Sequence, residues 1–123
     1  MQDYSKPIKR LLAQFLAEAY ERELQRELTK LDQSFSEWRN GALGSGELSY
    51  RVHEYERGPS HALYQRYNSG PKDMTLAYVI VAGVLRRDEV PEELLAALER
   101  PLSFYQSLKE RDELRPPEDL SGS

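Results

Sequence analysis

The sequence predicts an all-α fold, a long N-terminal helix packed against four or five shorter ones in an irregular helical bundle. Three observations carry this. Apolar residues recur at steps of three and four over most of residues 8–38. Proline and glycine then fall where helices start and stop. Apart from one wholly apolar run, nothing reads as a strand. At roughly 150 residues per domain the 123 residues make one domain. The 39% apolar content is lean but sufficient, since a chain of this size buries about two thirds of its unfolded surface.

The first helix follows from Ser5 as its cap and Pro7 in the first turn, where the missing N–H costs nothing. Ile8, Leu11, Leu12, Phe15, Leu16 and Ala19 cluster on one arc of its wheel. Leu24, Leu28, Leu31, Phe35 and Trp38 cluster on a second arc, rotated by about 140° and spaced 4-3-4-3 like a short heptad seam. Glu18–Arg22, Glu23–Arg26 and Glu27–Lys30 read as pairs on the exposed face, each contributing a few tenths of a kcal/mol. Uninterrupted from 6 to 39, the helix is about 50 Å long. A compact domain of this size is about 35 Å across. Either the helix breaks, with Ser34-Phe35-Ser36-Glu37 as a capping box, or it projects and packs on something else.

Three glycines in Gly41–Gly46 end that helix. Ser45 caps a second over about 46–57, with Leu48, Val52 and Tyr55 inward. Gly58-Pro59-Ser60 reads as a stop and a new start, and a third helix runs to Tyr67 before the turn Asn68-Ser69-Gly70-Pro71. Leu76–Leu85 is apolar on every face, and Asp73 reads as an N-cap ahead of it. We read the run as the central buried helix; the alternative is a strand completed by another chain, giving α+β. Pro91-Glu92-Glu93 opens a fifth helix with Leu94, Leu95 and Leu98 inward, and Pro101 begins the last, carrying Leu102, Phe104, Tyr105 and Leu108. The helical domain thus spans 1–114. Residues 115–123 lack core residues and read as a flexible C-terminal tail.

Composition narrows the function. Net charge is −4, and residues 73–123 carry eleven acids against six bases, which argues against nucleic acid and anionic membranes as partners. With no cysteine there is no disulfide, thiolate metal site or cysteine nucleophile. No apolar run reaches the roughly 18 residues of a membrane span. The N-terminus lacks a signal peptide's apolar stretch, so a cytoplasmic location is expected.

The glycines at 41, 44 and 46 are not followed by the Gly-Lys-Ser/Thr of a phosphate loop. His53, Glu56 and His61 are close in sequence, but neither a repeated Glu-x-x-His nor a His-Glu-x-x-His pattern accompanies them, so no metal and no cofactor is assigned. The richest polar cluster is His53, Arg57, Ser60, His61 and Tyr64. If a helix starts at Ser60, its free N–H groups, with Arg57 and His61 beside them, suit a phosphate or carboxylate. Eight tyrosines, five of them between Tyr50 and Tyr78, suit an interface. The expected function is therefore a non-enzymatic interaction or regulatory module. It binds a protein partner or forms a homodimer through Leu24, Leu28, Leu31, Phe35 and Trp38. The alternative is a small-anion binder or enzyme using the 53–67 cluster.

Overall fold

A computed structural model describes residues 3–121, and every element in it is helical. The first helix, α1, runs unbroken over Lys6–Arg39. Ser5 caps it through a 3.4 Å bond from the Ile8 N–H. The break point near Ser34 is not used, because Ser34 is buried and its hydroxyl accepts from Arg51 at 3.1 Å. At the C-terminus, the Ala42 N–H reaches the Glu37 carbonyl and the Gly41 N–H reaches Trp38. Gly41 sits at φ +80°, the left-handed conformation this closure requires.

Residues 45–68 form one continuous helical run. Helix α2 covers Ser45–Tyr55, a single π-helical turn covers Glu56–Ser60, and α3 covers His61–Asn68. The expected stop and start at Gly58-Pro59-Ser60 is therefore corrected: the chain passes through Gly-Pro without leaving the helix. In an ordinary α-helix the Pro59 ring would strike the Tyr55 carbonyl. The wider π turn removes that clash. Burial of Leu48 on one side of it and of Ala62 and Leu63 on the other holds the run against α1.

Helix α4 spans Lys72–Val81. The apolar run is thus helical as far as Val81, but the helix starts two residues earlier than a cap at Asp73 implies and stops four residues short of Leu85. Pro71, not Asp73, is the cap, and Asp73 lies in the first turn, accepting from the Met74 N–H and the Tyr4 hydroxyl. Gly83, at φ +91°, closes the helix as Gly41 closes α1, so Val84 and Leu85 are not helical. One 3-10 turn, Arg87–Glu89, leads to α5 (Glu92–Ala97) and α6 (Glu99–Glu110). Pro101 falls in the first turn of α6, where its missing N–H is harmless.

One apolar core holds α4, α5 and α6 against the N-terminal half of α1. Leu12, Leu16 and Ala19 meet Leu76, Val79, Ile80, Leu85, Leu94, Leu98 and Leu102 there, all buried. The C-terminal half of α1 reaches beyond this body and pairs with α2 and α3 as a helical hairpin. Residues after α6 turn back over the body. Leu114 packs on the core, and the carbonyls of Arg115 and Pro117 accept from Tyr78 and Arg66. Among the described residues, no helix is long and apolar enough to cross a membrane.

Candidate interaction surface

The hairpin owes its geometry to a line of polar residues on α1. Leu12, Leu16, Ala19, Glu23, Glu27 and Ser34 are the buried positions of that helix, and at 100° per residue they fall on one narrow arc. Up to Ala19 the line is apolar and faces the core. Beyond it the line is polar and faces α2 and α3. Glu23 and Glu27 were expected on the exposed face with their i+3 partners. Those ion pairs form, at 3.3 Å to Arg26 and 3.1 Å to Lys30, but the glutamates are buried.

Glu23 gathers the largest group of partners. Arg66 donates to it at 2.6 Å, the Tyr67 hydroxyl at 2.5 Å and Arg26 at 3.3 Å. The Tyr67 ring stacks on Tyr20 with centroids 4.8 Å apart, and the Arg66 guanidinium lies over the Tyr78 ring. Burial, reinforced by the neighbouring Glu23 charge, raises the Tyr67 hydroxyl well above the usual tyrosine range. Burial also pushes the Glu27 carboxyl up, but hydrogen bonds from Arg26 and Lys30 outweigh it and leave the pKa below the ordinary value. Further along, Arg51 bridges Ser34 and Glu37, and Trp38 donates to the Ser45 hydroxyl at 3.0 Å. Charge-assisted bonds of this kind fix orientation strongly, because an unpaired buried partner is costly.

With polar groups holding the inner line, the apolar seam lies to one side of it. Leu24, Leu31 and Phe35 are half-buried, while Leu28 keeps 46% and Trp38 41% of its surface exposed. Tyr50, Val52 and Tyr64 are exposed as well. Among the described residues, five of the six large exposed apolar side chains therefore sit on the hairpin; only Phe104 lies elsewhere. On α2, Leu48 faces inward as expected, but Val52 does not: Arg51 takes the position against α1.

The polar cluster takes a different form from the expected one. His53, Arg57, His61 and Tyr64 follow one another at steps of 4, 4 and 3 along the continuous helix, all exposed on one outward stripe. Arg57 pairs with Glu54. Ser60 is half-buried, with helical φ/ψ, so no helix end presents free N–H groups there. None of the five lines the clefts of about 660, 440, 670 and 390 Å³ that indent the surface. His53, Glu56 and His61 do not converge, and no three His, Asp or Glu side chains among the described residues are grouped to hold a metal.

The sequence reading missed the buried line Glu23, Glu27 and Ser34. Its only trace in the sequence is that these residues continue the register of Leu12, Leu16 and Ala19. Compared with protein-family models, with curated proteins and with solved structures, the chain matches none of them.

Proposed function

We propose that this chain is a non-enzymatic protein-interaction module that forms a homodimer through the hairpin seam Leu24, Leu28, Leu31, Phe35 and Trp38. The observation that carries the reading is that five of the six large apolar side chains exposed among the described residues lie on the hairpin, Leu28 and Trp38 of them on the seam itself. Large apolar and aromatic side chains left in water on one element are the usual mark of a protein-binding surface. The buried ion pairs beside the seam also support it, since they fix the hairpin that carries it and a preorganised surface loses less freedom on binding. A cytoplasmic setting agrees with the cysteine-free composition.

Light scattering at tens of micromolar should give about twice the 14.3 kDa chain mass. Leu28→Glu should return the protein to a monomer that melts where the diluted, monomeric wild type does, because Leu28 is exposed in the single chain. A monomeric wild type, or a dimer indifferent to Leu28→Glu, rules the reading out.

A further inference from the structure

The five seam residues occupy an arc of about 80° around α1, and Ala13, Ala17 and Tyr20 continue the same arc towards the N-terminus. The whole stripe, with spacings 4-3-4-4-3-4-3, is about 38 Å long at 1.5 Å per residue. Its two ends differ in size. Ala13 and Ala17 are exposed and leave a cleft of about 440 Å³ beside Tyr20, walled by Tyr67, Asn68 and Lys72. At the other end lie the two large rings, Phe35 half-buried and Trp38 41% exposed with its indole N–H held by Ser45.

We propose that the occupant of this stripe is a second copy of the chain laid antiparallel, so that Phe35 and Trp38 of each copy enter the alanine cleft of the other. The inference rests on the self-association proposed above and adds its direction and register. Trp38 then meets Ala13, Phe35 meets Ala17, Leu31 meets Tyr20, and Leu28 meets Leu24. All four pairs form in a single alignment centred between Gln25 and Arg26, and each stays within one residue of true opposition. At both ends a large side chain faces a small one, Trp38 on Ala13 and Phe35 on Ala17, as close packing requires, while the middle pairs set Leu31 on Tyr20 and Leu28 on Leu24. A parallel pair would set Trp38 on Trp38 and Ala13 on Ala13, crowding one end and leaving a void at the other. An isologous contact needs a surface complementary to itself, and this stripe is so only when one copy is reversed. Its footprint, about 38 Å by 10 Å on each copy, comes to roughly 760 Å² in total, below the standard size of a specific interface, so a weak, concentration-dependent association is expected.

The absence of cysteine allows single spin labels at Gln14→Cys or Arg39→Cys, both exposed and beside the stripe. In the antiparallel dimer each labelled protein should give a distance of roughly 35–45 Å between copies, from the rise per residue. Mixing the two labelled proteins should add a distance under about 20 Å. Ala17→Trp should fill the cleft and weaken dimerisation at least tenfold while melting, as a dilute monomer, where the monomeric wild type does. Short distances within each singly labelled dimer, or a dimer untouched by Ala17→Trp, overturn the antiparallel register alone. A monomeric wild type, or a dimer indifferent to Leu28→Glu, overturns the self-association reading and this inference with it.

Discussion

Glu23 of α1 and Arg66 of α3 meet at 2.6 Å, with the Glu23 side chain wholly removed from solvent. Arg66 also donates to the Pro117 carbonyl, so this pair ties together the hairpin, the body and the returning C-terminal segment. Glu23→Ala would remove the acceptor shared by Arg26, Arg66 and Tyr67, leaving Arg26 to Glu27 and Arg66 to the Pro117 carbonyl and taking from the Tyr67 hydroxyl its carboxylate. Breaking such a buried network from one side costs about 3–5 kcal/mol. Urea unfolding should register a loss of that size, and a change under about 1 kcal/mol would show that the pair does not hold the hairpin.

A second ion pair makes stability depend on pH. The two-pronged hydrogen bond from Arg22, at 2.6 and 2.9 Å, with help from the Arg86 N–H, lowers the Glu89 carboxyl from the usual 4.5 to about 2. Between those values the unfolded chain binds a proton that the folded chain does not. The stabilisation is therefore complete above the usual carboxylate range and is lost as pH falls through 4.5 towards 2. Melting temperatures of the wild type should drop across that window more steeply than those of Glu89→Gln. Parallel profiles would rule the linkage out.

Asp112 closes α6 in the left-handed conformation, at φ +58°, with the Glu113 N–H bonded to the Leu108 carbonyl. Gly41 and Gly83 occupy the equivalent positions after α1 and α4 without a side-chain penalty. Asp112→Gly should therefore raise stability by up to about 1 kcal/mol, read as a higher urea midpoint. A lower midpoint would mean that the aspartate contributes something the backbone does not.

The continuous helix through Pro59 bears on anion binding. Ser60, His61 and Ala62 lie within the helical run rather than at its start. A phosphate titration to millimolar concentration should leave their amide shifts in place. Saturable movement of those amides, lost in Arg57→Ala, would instead establish a site on the outward stripe.

The helices were legible in the sequence because their signals are local. Ser5 and Pro7 start α1, Gly41 stops it, and Pro91 with two glutamates opens α5, each through its own backbone chemistry. The apolar run at 76–85 declared its burial but not its ends, because Pro71 and Gly83 set those and a uniformly apolar stretch has no phase. The seam on α1 was equally visible as spacing.

What the sequence by itself determined is thus an all-α chain with a long first helix and two apolar arcs upon it. The tertiary structure decided whether that helix breaks, whether Gly58-Pro59 ends one, and which side chains of the hairpin face inward. Local propensity at Ser34 and Gly58-Pro59 favours interruption by at most a few kcal/mol. Burial of Leu48, Ala62 and Leu63, with the Arg51–Ser34 bond, acts over the whole length of the hairpin and overrides it. Glu23 and Glu27 had surface partners within their own helix, so nothing local distinguished a solvated pair from a buried one. Only the arrival of Arg66 and Tyr67, more than forty residues later, placed Glu23 inside.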